Sequence, residues 1–274
     1  MFWPVLALYI CWVAPTLGWG FPGDGVSDSP IGKRIDHLFW LIMAITTGVF
    51  VLTQIAMGYA LWKASTKKPE EPAQHFHGSH TLEVIWTVIP GALLLFIAFY
   101  QMDVWADFRL KSRAPATKSG SLIAEVTARQ FEWRIRYPVP GKDLSPTPVP
   151  GDMYDVNELI IPAKTPVMIY LRTDDVQHSF FLPTLRIKQD AIPGKVIPIW
   201  FEAEEPGSYP LLCAELCGWG HYKMGGKLTV LSQEDYTARM QKMAQDFGVA
   251  SAASTPAAPT PGVASTSQTQ EGAN

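Results

Sequence analysis

Between positions 213 and 224 the chain reads Cys213-Ala-Glu-Leu-Cys217-Gly-Trp-Gly-His221-Tyr-Lys-Met224, and a further histidine, His178, stands upstream in a β-rich stretch. Thiolate and thioether sulphur are soft donors, and together with imidazole they form a set suited to copper. A mononuclear blue-copper site uses one cysteine, two histidines and a weak methionine, so the second thiolate is the discriminating feature. Two thiolates on one loop can each bridge two copper ions. That leaves His178 and His221 as terminal ligands, with Met224 and the Glu215 backbone carbonyl as weak ones. An electron shared across such a unit changes its geometry little on reduction. Other readings stand beside this one. Taken alone, Cys213 and Cys217 suit a disulfide as well as a metal site, because extracytoplasmic cysteine pairs often bridge. Zinc also accepts cysteine and histidine, but a structural zinc site closes with four ligands and has no use for Met224. His178 by itself is an ordinary core or surface histidine.

These donors need a scaffold, and the rest of the chain divides into membrane and β-rich parts. The 274 residues carry a net charge of -3, which gives no reason to expect a nucleic-acid partner, whose phosphates call for clustered Lys and Arg over a whole face. Cys11, Cys213 and Cys217 are too few for a disulfide framework. An apolar run from Phe2 to about Trp19, broken by Pro4 and Pro15, reads as a signal peptide that lacks the usual basic start, with a third membrane helix as the alternative. From His37 to Trp62 there is no formal charge, and a second run from Leu82 to Trp105 carries only Glu83 and Asp103. Each is long enough to cross a bilayer as a helix, so together they form a transmembrane hairpin. Lys and Arg flank both sides of it, and the positive-inside rule does not orient it. Beyond about Ala114 come short β-rich runs at Ser121 to Ala128, Phe131 to Tyr137, Glu158 to Ile161, Val167 to Leu171, Val196 to Phe201 and Lys227 to Leu231. That spacing reads as an all-β sandwich or barrel. Pro138 to Pro150 is a Pro-rich surface loop. Ser232 can cap a helix running through about Phe247, with Asp235 at its third position. The Ala-, Pro-, Thr- and Ser-rich tail to Asn274 cannot build a core and is expected to be disordered.

At the copper loop the sequence resembles the cytochrome c oxidase subunit II family, whose pattern is Cys-x-Glu-x-Cys-x3-His-x2-Met with a distant upstream His. The resemblance extends to Asp175-Val-Gln-His178-Ser-Phe, to the stretch from Leu185 to Lys195, and to Glu83-Val-Ile-Trp86-Thr-Val-Ile-Pro90, in the family's order. It covers nearly everything from His37 to Leu231. It implies a two-helix transmembrane hairpin followed by an all-β cupredoxin-like barrel, with both chain ends and the barrel outside the cytoplasm. The organisation so implied is a signal peptide at 1–20, an extracytoplasmic segment at 21–36, and membrane helices at 37–62 and 82–105 joined by a cytoplasmic-side loop at 63–81. After them come a copper domain at 114–232, a C-terminal helix at 233–248 and the tail at 249–274.

The resemblance further implies one-electron transfer from cytochrome c to a dinuclear copper centre and on to haem in subunit I, where oxygen is reduced and protons are pumped. Subunit III is a second implied partner, and a bacterial plasma membrane with the copper domain in the periplasm or outside the cell is the implied location. Glu83 matches the family glutamate near the mouth of a proton pathway, and an ionisable group at a membrane helix end is a functional candidate in its own right. Glu215 resembles the residue whose side chain reaches a magnesium ion at the border with subunit I, in keeping with that ion's preference for carboxylate oxygen. One departure stands out. Where the family has Gln-Trp-x-Trp, this chain has Gln130-Phe131-Glu132-Trp133, so Phe131 replaces the indole at which the electron is proposed to arrive, and Trp133 reads as core. Asp155, Glu158, Asp174 and Asp175 are candidate docking acids for a Lys-rich donor, or ordinary surface acids. With no Cys-x-x-Cys-His haem signature in the chain, its donor is expected to be a separate protein. A quinol-oxidising relative would lack the copper ligands. A tethered copper carrier would not need Glu83 or the second helix's resemblance to an oxidase contact surface, and a nitrous-oxide reductase would carry a large further domain.

Overall fold

In a computed structural model of the chain, residues 28–68, 77–110 and 122–249 are described. The expected signal peptide, the middle of the hairpin loop and the tail after residue 249 lie outside the described residues. Helix α1 (Pro30–Ser65) opens with proline in its first turn after an extended Ser29, a position where a missing N–H costs nothing. Helix α2 (His80–Arg109) is capped by the Ser79 hydroxyl, which accepts from the Leu82 amide at 3.4 Å, and it carries Pro90 within an unbroken helix. Large apolar side chains along both helices face outward, with Leu52, Leu61, Leu94 and Phe99 between 65 and 70 % exposed. Such surfaces are unfavourable in water and favourable against acyl chains. Arg34 near the start of α1 pairs with Asp107 near the end of α2, so the helices run antiparallel as a hairpin.

Both helices overrun the apolar stretches at 37–62 and 82–105, because the charges that end those stretches do not end the helices. At the shared outer end they anchor the β domain instead. The Arg186 guanidinium donates to Asp36 at 2.8 Å, Lys33 pairs with Glu204, the Trp200 indole donates to the Asp107 carbonyl at 3.1 Å, and Arg109 donates to Gln189 at 2.7 Å.

The β domain is a sandwich of two five-stranded sheets. Its strands are β1 (Leu122–Arg129), β2 (Glu132–Tyr137), β3 (Met153–Val156), β4 (Glu158–Pro162), β5 (Val167–Thr173), β6 (His178–Leu182), β7 (Ile187–Ala191), β8 (Ile197–Phe201), β9 (Gly207–Cys213) and β10 (Gly225–Leu231). One sheet is ordered β3-β2-β1-β5-β8 and the other β4-β10-β9-β6-β7; β1 with β5 and β4 with β10 are parallel, and the remaining pairs are antiparallel. Alternation sets the inner faces. Val167, Ile169 and Leu171 point inward from β5, and Trp133, Ile135 and Tyr137 from β2. The buried Tyr137 hydroxyl accepts from the Ile160 amide at 2.8 Å and tethers one sheet to the other; burial pushes its pKa well above the ordinary value. Helix α3 (Gln233–Asp246) begins at Ser232, whose hydroxyl accepts from the Asp235 amide at 3.1 Å as the capping pattern predicts. It packs Met240, Met243 and Ala244 onto the core.

Candidate metal centre

His178 is the first residue of β6, Cys213 is the last of β9, and residues 214–224 form the loop that returns the chain to β10. Backbone hydrogen bonds at each end hold that loop. The Cys213 amide donates to the Met224 carbonyl at 3.2 Å, and the Ala214 amide donates to the Ser179 carbonyl at 3.0 Å, which ties the loop to β6. The β1–β2 turn closes it from the side, where the Gln130 carboxamide donates to the Cys217 carbonyl.

The result brings together every soft donor that the sequence marks. The sulphurs of Cys213 and Cys217 lie 3.9 Å apart. His178 Nδ1 faces the Met224 sulphur at 3.2 Å and the Cys213 sulphur at 3.9 Å, and His221 Nδ1 faces the Cys217 sulphur at 3.7 Å. Met224 Sδ is 3.7 Å from Cys217 Sγ, and the Glu215 carbonyl is 3.2 Å from Cys213 Sγ. Both cysteines are free thiols. Their separation is far beyond the ~2.05 Å of a disulfide bond, yet shorter than two metal–thiolate bonds of ~2.3 Å laid end to end. A single ion can therefore touch both sulphurs. The donor set also exceeds the four ligands of a structural zinc site, so the residues present fit copper better than a disulfide bridge or zinc.

A carboxylate behind His178 explains which of its ring nitrogens is available. His178 Nε2 lies 2.8 Å from Asp175 Oδ1, so the carboxylate holds that N–H and turns Nδ1 toward the sulphurs. Asp175 also accepts from the amides of Gln130 at 2.8 Å and Val176 at 2.7 Å. Although burial works against its charge, these bonds and His178 hold its pKa below the usual carboxylate range. Burial likewise opposes charge on His178, but Cys213 and Asp175 outweigh it and raise the imidazole pKa. Burial also disfavours the Cys213 thiolate, and His178 with the backbone around Ser179 and Glu215 overcomes it, bringing the thiol down to about 6. Cys217 is pushed up to about 11 by burial and by the neighbouring Cys213.

His178, Cys213, Cys217 and Met224 are buried, with His178 fully so, whereas the loop's outer surface carries Leu216, Trp219 and Tyr222 between 75 and 82 % exposed. Phe131 sits beside the loop, edge-on to Trp219 with ring centroids 5.2 Å apart. Trp133 is fully buried and packs edge-on against Phe180 at 5.7 Å and His178 at 6.4 Å, as core. Glu83 lies in the first turn of α2, at the end of the hairpin away from the sandwich. The four candidate docking acids are engaged in different ways. Glu158 is engaged by Lys227 and Thr229, Asp174 lies 3.7 Å from Arg172, and Asp155 bonds the Val156 amide. Asp175 belongs to the centre, a role sequence reasoning missed; its place three residues before His178 was the available signal.

The fold and site together define a membrane-anchored, cupredoxin-type domain with a two-thiolate metal centre. Comparison with known proteins specifies it further. Residues 130–230 match the family model described as cytochrome c oxidase subunit II, periplasmic domain, and residues 18–104 match its transmembrane domain. The probable cytochrome c oxidase subunit 2 of Rickettsia felis is 30% identical over 218 residues, an alignment covering 76% of this chain and 67% of that protein. Cytochrome c oxidase subunit 2 of Cereibacter sphaeroides is 27% identical over 250 residues, covering 81% and 80%. A solved structure of the periplasmic domain of subunit II of cytochrome oxidase of Bradyrhizobium japonicum aligns with 48% of this chain and 99% of that one, at 24% identity and a TM-score of 0.41. The chain belongs to the cytochrome c oxidase subunit II family, and is thus an oxidoreductase subunit of a haem-copper terminal oxidase.

Proposed function

We propose that this chain accepts electrons from cytochrome c at a dinuclear copper centre and passes them to haem in subunit I, where oxygen is reduced and protons are pumped. The observation that carries the reading is the pair of free, buried thiols 3.9 Å apart, ringed by His178, His221, Met224 and the Glu215 carbonyl. Two copper ions held there supply reversible one-electron chemistry. Cys213 and Cys217 would hold them together with His178 and His221, both through Nδ1, and Met224 and the Glu215 carbonyl would be weaker donors. Asp175 keeps the His178 N–H on Nε2, and the buried setting excludes water from the sulphurs.

The same reading assigns the remaining expectations. The hairpin anchors the chain in a bacterial plasma membrane, with the sandwich in the periplasm or outside the cell and the 63–81 loop in the cytoplasm. Subunits I and III pack around the hairpin. Glu83, on the cytoplasmic side, opens a proton pathway shared with subunit I, and the Glu215 side chain reaches a magnesium ion at the boundary with that subunit. Anaerobic mixing of the purified oxidase complex with reduced cytochrome c, monitored at the copper and haem bands, tests the electron route. The copper band is expected to bleach before the haem is reduced, and Cys217→Ser to abolish both phases. Haem reduction at wild-type speed in Cys217→Ser would contradict it.

A further inference from the structure

The loop that carries Cys217 and His221 has an unusual seat. A Cβ at Gly220 would lie 2.5 Å from Phe131 Cδ2, and one at Gly218, whose φ is +132°, would lie 3.2 Å from Phe131 Cζ. The Phe131 ring, joined at Gly218 by the Gln130 carboxamide at 2.8 Å, therefore fills the space that side chains at 218 and 220 would otherwise take, and it wedges the β1–β2 turn against the loop backbone. Only Gly leaves that space free. Trp219, between the two glycines, is turned outward and is 75 % exposed, while Phe131 is half-buried against it. Lys223 lies over the Trp219 ring, 4.6 Å from its centroid, and steadies the indole.

This arrangement decides between the two aromatic groups. His178, Cys213, Cys217 and Met224 are buried and His221 is half-buried beneath the loop, so a protein donor meets the centre through the loop's outer surface, where Trp219 stands with Leu216 and Tyr222. A single glycine separates Trp219 from Cys217 on one side and from His221 on the other, a short covalent route to both. An exposed, rigid indole in an apolar rim is also the kind of group that anchors a protein partner. We propose that Trp219, not Phe131, is the side chain on which the electron donor docks and through which its electron reaches the centre, Phe131 serving as the wedge that positions it. The proposal rests on the electron-accepting function given above. The donor it fits is a haem protein presenting an apolar haem edge.

The test uses the purified, copper-loaded oxidase complex as wild type, Trp219→Leu, Trp219→Phe and Phe131→Leu. Stopped flow follows reduction of the copper centre by cytochrome c and, separately, by hexaammineruthenium(II), alongside copper content, spectrum and potential. Trp219→Leu is expected to lower the second-order rate constant with cytochrome c roughly thirtyfold, the scale of losing a central aromatic anchor. Its copper spectrum, potential and rate with the ruthenium complex are expected to match wild type, and Trp219→Phe to restore most of the lost rate. Should leucine disturb the copper spectrum, Trp219→Gln is read in its place, with the same loss expected. Wild-type speed with cytochrome c in these variants, or a comparable loss confined to Phe131→Leu, would overturn the proposal while leaving the function standing. A wild-type centre that the ruthenium complex reduces and cytochrome c does not would remove the function and the proposal together.

Discussion

Replacing Asp175 with alanine takes away four contacts at once, one of them from the Thr173 hydroxyl at 3.3 Å. His178 Nε2 loses its partner at 2.8 Å, and the amides of Gln130 and Val176 lose theirs at 2.8 and 2.7 Å. Without the carboxylate, nothing fixes the His178 proton on Nε2, and the tautomer with the proton on Nδ1 cannot bind a metal at the position facing the sulphurs. A hydrogen bond to an ionised partner contributes about 1.5–3 kcal/mol, but the Asp175 side chain is 28 % exposed, so water replaces part of what the amides lose. Loss of a group that orients a metal-bound histidine typically weakens binding by about 10- to 100-fold, or ~1.4–2.7 kcal/mol. We expect Asp175→Ala to fall in that range, and Asp175→Asn, which keeps an acceptor oxygen and loses the charge, to fall at its lower end. Copper titration against a competing chelator measures it directly. Asp174→Ala is the control, because Asp174 meets only an exposed arginine at 3.7 Å, a kind of pair worth about 0–1 kcal/mol. Wild-type copper affinity and spectrum in Asp175→Ala would refute the assignment of this carboxylate.

Other outcomes follow from the same geometry. Arg136→Leu strands Glu125 and Asp152, which are buried and which Arg136 contacts at 3.2 and 2.8 Å, so destabilisation of about 3–5 kcal/mol is expected in thermal melts. Arg136 also donates to the Ser145 carbonyl at 2.9 Å, and limited proteolysis should find the 138–152 loop newly cleavable. A Cβ at Gly226 would lie 2.5 Å from the Asn157 carbonyl oxygen, a backbone atom held by the Lys227 amide at 2.8 Å. Gly226→Ala is thus expected to cost about 1–3 kcal/mol, seen as a lowered melting temperature with the copper spectrum retained. Met224→Leu should keep copper, because the cysteines and histidines remain, and shift its potential, since weak axial sulphur tunes copper redox. Copper counting and redox titration check both halves.

The chemistry was legible because it is compressed: Cys213, Glu215, Cys217, His221 and Met224 fall within one loop, and their types name the metal class before any fold is known. His178 needed the fold, since only the pairing of β6 with β9 brings it to that loop. Strands such as β5 announced themselves by alternation. Three did not. In β9 Gly207 and Pro210 mask a strand whose residues are mostly exposed, in β7 Lys188, Gln189 and Asp190 occupy the interior, and β3 is only four residues long. Asp175 looked like a surface acid because its role lies in a contact with an imidazole rather than in its neighbours. The wedge of Phe131 between Gly218 and Gly220 joins segments nearly ninety positions apart, and no local pattern encodes it.

Electron paramagnetic resonance with copper quantitation on the purified oxidase complex, as wild type and Cys217→Ser, tests the central claim most directly. Two coppers in this chain sharing one unpaired electron, with hyperfine splitting from both nuclei, and loss of that signal in Cys217→Ser, are expected. A single copper with one-nucleus splitting, or a two-copper signal that survives Cys217→Ser, would contradict the bridging role of the paired thiols.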